Sequence, residues 1–465
     1  MKFLQSILLL GVTAAATAAG QTSMINFKHL EHLTERIAFL GDSVDIVHVY
    51  ANYPTYDWVG AAESGMEGIA CVDDAARAAV MYLRHYELMK TRSSLMKGKA
   101  LLSFVLKMET DDGMFYNFIH TDHTINTTGR TSFKSFGWWG ARAVWAMSTG
   151  FRILSSSDRE FAGRLKNGIE RTFPHIDSLL LHYNESGEMH GYRVPQWLLY
   201  GSGADVTSEL LLGLVDYYSV TREKRVKAMI SKLADGLMMM QDGHIRTFPY
   251  GAHRSWQTMW HMWGNGETQA LAAAGRILKN RRMIESAERE VTGFYTRLLI
   301  DGFKKEMNLA DPSISLEYEQ IAYGVRPMCV GLIRLYEATR KIEYLKMAGL
   351  AASWLLGNNV LHTAIYDSAT GRCYDGIRDS ASLNRNSGAE STIEALYALV
   401  ELDRYPLAMK YLSFRKTKKQ LTSRYLLAVF ENSRSEQFTL AVDLMQGNFK
   451  LLEGRASDKF LNHLK

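Results

Sequence analysis

Five acidic residues are candidates for chemistry, because each comes at or near the predicted start of a helix that is otherwise apolar: Asp73, Asp74, Glu267, Glu319 and Glu390. Cleavage of a glycosidic bond requires a protonated carboxylic acid and an ionised carboxylate that face one cleft, about 5 to 9.5 Å apart. Two adjacent acids raise one pKa by repulsion, whereas a helix N-terminus lowers it. Asp73, Asp74, Glu267 and Glu390 also fit a helix-capping role, and the sequence leaves both roles open.

Aromatic and polar residues near the same helix starts are candidates for contacting a sugar, because indole faces pack on the C–H faces of sugar rings. They are Trp138, Trp139, Trp260, His261, Trp263, Tyr323, Asn384 and Arg385. Exclusion of water by the neighbouring tryptophans would raise the pKa of Glu267 and suit it to catalysis, although a cap beneath a buried tryptophan cluster fits equally well. Ser387 precedes Glu390 by three residues, a capping-box spacing that favours a structural role for Glu390 and ligand contact by Asn384 and Arg385.

The helices that carry these residues alternate in character along the chain. Helices rich in small apolar residues are predicted to start near Asp73, Trp138, Asp205, Glu267, Glu319 and Glu390, at spacings of 52 to 71 residues. Amphipathic helices lie between them, at 94–108, 158–172, 222–240, 281–299 and 341–356. Helices that are apolar all round are buried by amphipathic ones, so we predict an all-α (α/α)6 toroid whose inner helices all begin on one face. A protein-binding solenoid is the alternative, but its repeats are usually shorter and more uniform.

The two ends of the chain have different patterns. Residues 1–20 combine Lys2, an apolar run and small residues, which predicts a signal peptide. We predict a helix over residues 26–40, a small strand-containing tail over residues 425–452, and one domain over residues 21–465.

Composition excludes several classes of function. The net charge of +5 falls to +4 once Lys2 is removed, and no long basic run is present, so nucleic-acid binding is not expected. No stretch is long enough to span a membrane. Three cysteines, Cys71, Cys329 and Cys373, do not make a disulfide framework. His120, Asp122 and His123 lack a fourth ligand at a recognisable spacing, so neither a metal nor another cofactor is expected.

Three segments resemble a known family. Residues 71–80 (CVDDAARAAV), 112–118 (DGMFYNF) and 355–399, which contain YDSATGRCYDGI and LNRNSGAESTIEALYAL, are similar to motifs of the six-hairpin glycosidase-like domain often found C-terminal to bacterial glycosyltransferases. The resemblance implies the toroid fold and a carbohydrate substrate. The glycosyltransferase half is absent, and Lys134-Ser135 stands where the family often has Glu-Asp.

From the residues and the resemblance together, we expect an exported, periplasmic or extracellular protein, of bacterial type, that acts on a poly- or oligosaccharide. The main hypothesis is a glycoside hydrolase with a carboxylate pair. A polysaccharide lyase that uses Tyr or His beside Asn or Arg, and a glycan-binding protein without catalysis, remain alternatives. The sugar, the linkage, the stereochemistry and the oligomeric state are left open.

Overall fold

The computed structural model describes residues 23–60 and 67–464. The predicted signal peptide at residues 1–20 therefore lies outside the described residues. Within these ranges, no helix combines the length and apolar character that crossing a membrane requires. The three cysteines are buried, free thiols.

The N-terminal segment is only partly helical. A short helix α1 (Lys28–Leu33) leads into an antiparallel hairpin of β1 (Thr34–Phe39) and β2 (Asp42–Val47). The prediction of one helix over residues 26–40 is therefore wrong. Leu40 and Gly41 both have positive φ, at 48° and 83°, which forms the two-residue turn whose twist matches a hairpin.

Six helices form an inner ring in which each packs against the next and the sixth packs against the first. They are α2 (Val72–Met89), α4 (Trp138–Leu154), α6 (Ala204–Thr221), α8 (Glu267–Leu278), α11 (Val325–Thr339) and α13 (Ala389–Asp403). Small residues allow these helices to approach closely. A Cβ atom on Gly213 of α6, for example, would lie 2.8 Å from the backbone nitrogen of Trp145 in α4.

The amphipathic helices form an outer layer, as predicted. They are α3 (Arg92–Lys107), α5 (Arg159–Leu180), α7 (Lys224–Met239), α9 (Arg281–Glu290) continued by a π-turn (Val291–Tyr295) and α10 (Thr296–Asp301), α12 (Ile342–Ala352) and α14 (Pro406–Tyr411). Short 3₁₀ helices occur at Met262–Gly264, Ala322–Gly324 and Ser353–Leu356.

Short strands tie together the loops that precede the inner helices: β3 (Ala51–Asn52), β4 (Asp57–Trp58), β5 (Ala70–Cys71), β6 (Phe118–Ile119), β7 (Ser186–Met189), β8 (Tyr192–Pro195), β9 (Met259–His261), β10 (Glu306–Asn308), β11 (Ser315–Leu316), β12 (Gln320–Ile321), β13 (Tyr366–Asp367), β14 (Arg372–Cys373), β15 (Gly376–Ile377) and β16 (Leu383–Asn384). The fifth inner helix begins at Val325 and not near Glu319, because Gln320–Ile321 pairs with Gly376–Ile377 in a three-stranded sheet of order β12-β15-β16.

The C-terminal tail is a four-stranded antiparallel meander of β17 (Arg415–Leu421), β18 (Tyr425–Glu431), β19 (Gln437–Asp443) and β20 (Asn448–Glu453). The meander begins at Arg415, before the predicted start at residue 425. The prediction missed β17 because this strand is polar and lacks the apolar pattern of a strand. Phe430 and Phe438 join one face of the sheet to the main core, and helix α15 (Gly454–Asn462) covers the other face with Phe460 and Leu461.

Candidate functional site

Charged residues on the first turns of the inner helices meet on the axis of the ring. Asp73 and Arg77 lie one turn apart on α2, and Glu390 and Glu394 lie one turn apart on α13, so each pair shares one helix face. Six of these charges alternate in sign around the axis. We call them the central ion-pair ring: Asp73, Arg142, Glu209, Arg326, Glu394 and Arg77.

Contacts between consecutive members close the central ion-pair ring. Arg142 pairs with Asp73 and reaches Glu209, with Nη1 3.9 Å from Oε1. Arg326 lies 3.2 Å from Glu209 and also pairs with Glu394, and Arg77 lies 3.6 Å from Glu394 and 3.5 Å from Asp73. Arg326 Nη1 donates to Gln269 Oε1 of α8 at 2.8 Å, so all six inner helices contribute. The ring divides the interior of the toroid into two mouths, one where the inner helices begin and one where they end.

Two acids are open to solvent here: Asp73, a member of the central ion-pair ring, and Glu390, which contacts the ring through Arg77. The side chains of Asp73 and Glu390 are 24% and 33% exposed, whereas those of Arg77 and Arg142 are 4% and 3% exposed. Both acids contact the guanidinium group of Arg77. A single guanidinium group therefore sets the separation of the two carboxylates, which suits the short spacings of glycosidase pairs, about 5 to 9.5 Å.

Asp74 lies beneath the exposed pair and is buried. Burial, followed by the charge of Glu390, raises the pKa of Asp74 to about 8 against the opposing effect of Arg77. The Cys71 thiol donates to Asp74 Oδ2 at 3.3 Å. Asp74 is therefore largely neutral at pH 7, and the exposed acid on α2 is Asp73.

One wall of the mouth where the inner helices begin is aromatic. His261 stacks on Trp263 with ring centroids 3.8 Å apart, and Trp263 lies 5.6 Å from Trp138. Asp205 Oδ2 hydrogen-bonds His261 Nε2 at 2.9 Å. Burial raises the pKa of Asp205, and His261 opposes that shift. The wall presents two half-buried indole rings beside the carboxylates, the arrangement that packs on a sugar face.

The opposite wall is polar and is built on the β12-β15-β16 sheet. Asn384 donates to Glu319 Oε1 at 3.1 Å, and Asp375 Oδ1 accepts from the N–H of Gly388 at 2.9 Å. Burial raises the pKa of Asp375 to about 6, and the hydrogen bond from Gly388 opposes that shift. Sequence reasoning missed Asp375, although it lies in the YDG segment of the family-like motif.

The remaining residues that were predicted to contact a sugar lie around the mouth where the inner helices begin. Tyr323 is over it, with its ring centroid 5.7 Å from the Arg77 guanidinium carbon, and burial raises the pKa of its hydroxyl. Trp139 donates from Nε1 to the Phe115 carbonyl, and Trp260 is fully buried against Phe294. Arg385 is exposed at the rim, over Tyr53.

Glu267 is fully buried, and neither of its carboxyl oxygens has a hydrogen-bond partner among the described residues. Burial, and then the charge of Glu290, raise its pKa far above the usual range. Glu267, Trp139 and Trp260 thus lie below the exposed surface, and their catalytic or binding roles stay predictions. Within the described ranges, no group of three or more His, Cys, Asp or Glu side chains is placed to hold a metal ion.

Comparison of this chain with known proteins identifies its fold. No family model matches the chain, and no curated protein matches it significantly. Among solved structures, the cellobiose 2-epimerase of Bacillus thermoamylovorans B4167 is similar with a TM-score of 0.55 at 12% identity, over 82% of this chain and 96% of that one. This chain is an (α/α)6 toroid.

Two further structures support the same toroid. A sugar epimerase from a ruminal bacterium has a TM-score of 0.53 at 14% identity, over 77% of this chain and 92% of that one. A D-mannose isomerase has a TM-score of 0.50 at 12% identity, over 72% of this chain and 87% of that one. At these identities the likeness shows the fold, and the function has to be argued from the site.

Proposed function

We propose that this protein is a carbohydrate-active enzyme, and specifically a glycoside hydrolase that works at the mouth where the inner helices begin. The observation that carries the proposal is the exposed pair of carboxylates, Asp73 and Glu390, held on the guanidinium of Arg77 beside an indole wall. The similar solved structures named above act on sugars, which supports the same substrate class.

The surroundings of the carboxylates suit them to different roles. Asp73 contacts both Arg77 and Arg142, which hold its partly exposed carboxylate at the mouth, and we assign it the role of base or nucleophile. We assign the proton donor to Asp375, whose pKa is raised to about 6 and whose Oδ2 is buried without a hydrogen-bond partner among the described residues. Glu390 neighbours both acids, because it shares Arg77 with Asp73 and its charge adds to the shift at Asp375.

The alternatives have weaker support. Epimerisation or isomerisation takes a proton from carbon and needs an accessible base. His261 is poorly placed for that role, because its Nε2 is hydrogen-bonded to Asp205. A lyase needs a cation that is free to neutralise a uronate. Arg77 and Arg142 are buried among carboxylates, which leaves exposed residues of the rim, such as Arg385, for that role.

The test is product analysis after incubation with a panel of neutral and acidic oligo- and polysaccharides. Wild-type protein should release new reducing ends, and Asp73→Asn, which removes the proposed base or nucleophile, should release them at least about 100-fold more slowly, the usual scale for loss of an acid or base. An unsaturated product that absorbs in the ultraviolet would indicate a lyase, and a change of sugar without chain cleavage would indicate an isomerase. Binding of a glycan with none of these products would overturn catalysis altogether.

A further inference from the structure

The opposite mouth of the toroid, where the inner helices end, encloses a pocket of about 610 Å³. All six inner helices line it, and Gln269, which accepts from Arg326 of the central ion-pair ring, lies at its inner end. The pocket is therefore separated from the proposed catalytic mouth by that ring.

Positive charge dominates this pocket. Seven arginine and lysine side chains line it. Five of them pair with carboxylates: Arg84, Arg152, Arg276, Arg334 and Arg404. These five share only four acids, which are Glu87, Asp216, Glu337 and Glu401. Burial alone would raise the pKa of Glu401, but Arg334 and Arg84 hold it below its usual range, so it remains charged.

The other two cations, Arg222 and Lys279, form no salt bridge with any residue of the described ranges. Seven cations and four carboxylates leave three formal positive charges around one cavity. The Nε–H of Arg404 is buried and lies 3.8 Å from Glu401 Oε2, beyond hydrogen-bond distance. A buried donor without an acceptor is costly unless a ligand or water satisfies it.

The helix C-termini alone would also gather cations here, in a purely structural role. Each helix C-terminus carries about half a negative charge, so six of them together approach the excess of three positive charges. That interpretation explains why cations gather here. It does not explain an open cavity among them.

We propose that this pocket is a binding site for a small multivalent anion that bears phosphate or sulfate groups. Arginine forks and lysine ammonium groups are the usual donors to such oxygens, and a pocket with low-dielectric walls focuses the positive potential. Trp145 and Tyr397 form apolar parts of the lining, which allows the anion to carry a sugar or another organic body.

The experiment is isothermal titration calorimetry of the full chain at low ionic strength with inorganic pyrophosphate, and with glucose 6-phosphate beside glucose. We expect saturable binding of pyrophosphate at one site per chain and no heat from glucose. Arg222→Gln combined with Lys279→Gln should weaken binding about tenfold, because the variant removes the two exposed cations of the lining that form no salt bridge within the described ranges.

The matched control combines Lys227→Gln and Lys459→Gln, which remove two exposed charges that lie outside the pocket lining. Ala273→Gln adds bulk to the lining without a change of charge and should also weaken binding. Equal weakening by the control and pocket variants, or no saturable binding by wild type, would overturn the proposal. Binding of glucose 6-phosphate as tightly as pyrophosphate would assign the site to sugar phosphates, whereas binding of pyrophosphate alone would assign it to free phosphate anions.

Discussion

The two mouths of the toroid use the same residue types but expose different members of their charge pairs. Where the inner helices begin, the arginines are buried and the acids Asp73 and Glu390 reach solvent. Where the helices end, Glu401 is fully buried and Arg276 is 54% exposed, while Arg84, Arg152 and Arg334 are 11 to 20% exposed. The difference shows that charge pairs alone do not identify a catalytic site. What matters is which partner of each pair is open to a ligand.

The largest effect on stability should come from the central ion-pair ring. Arg326 is 2% exposed, and Arg326→Met would leave Glu209 and Glu394 buried without their shared cation. We expect the free energy of unfolding in urea to fall by about 3 to 5 kcal/mol. Arg276→Met, at the exposed edge of the other mouth, should cost less than about 1 kcal/mol. Equal losses in the two variants would show that the ring does not hold the inner helices together.

The pH dependence of activity should report the proposed proton donor, Asp375. Asp375 must be protonated to donate, and its pKa is about 6, so kcat/KM should fall about tenfold for each pH unit above that value. The measurement is a pH profile from 5 to 8, with Asp375→Asn expected to be almost inactive throughout. A flat profile, or full activity in Asp375→Asn, would remove Asp375 from this role.

Asp74 should make stability depend on pH in the opposite sense from a salt-bridged acid. Its pKa is about 8 in the folded chain and close to the usual value for aspartate when unfolded. The folded state therefore keeps a proton that the unfolded state has lost between about pH 4 and pH 8, and stability falls as pH rises through that window. Asp74→Asn should remove up to about 1.4 kcal/mol of this decrease per pH unit. Urea unfolding at pH 5, 6 and 7 measures it, and parallel curves for wild type and variant would contradict the shift.

The smallest effect concerns the aromatic wall. Trp138→Ala removes one indole from the catalytic mouth and should raise KM about two- to tenfold, the scale of an aromatic contact of about 0.5 to 1.5 kcal/mol. Trp256, which is 42% exposed and takes no part in the Trp138–Trp263–His261 wall, provides the control Trp256→Ala. A KM that changes equally in both variants would mean that the wall does not contact the sugar.

Much of the fold was predictable because inner and outer helices differ in composition. Five of the six inner helices begin within about one residue of the predicted positions, since small apolar runs and polar helix starts are local signals. The fifth helix was placed too early near Glu319, because the pairing of β12 with β15 joins residues that are distant in sequence. The hairpin after Leu33 was missed because a short apolar run fits either a helix or a strand.

The site was predictable in part. The sequence placed Asp73, Glu390, Trp138, Trp263 and His261 at one end of the helices, and the structure brings these side chains together. It did not reveal the central ion-pair ring, because the ring joins helices far apart in sequence. A signal was present: Arg77, Arg142, Glu209 and Glu394 are charged residues on helices that are otherwise apolar all round.

The most direct test compares two aspartates, one from each mouth. Asp73 and Asp216 are both 24% exposed, and both pair with arginine, so Asp73→Asn and Asp216→Asn are closely matched changes. The measurement is the rate of release of reducing ends from a responsive glycan by each folded variant. We expect Asp73→Asn to lose at least about 100-fold in rate and Asp216→Asn to retain nearly the wild-type rate. Equal rates in the two variants would contradict the assignment of catalysis to the mouth where the inner helices begin.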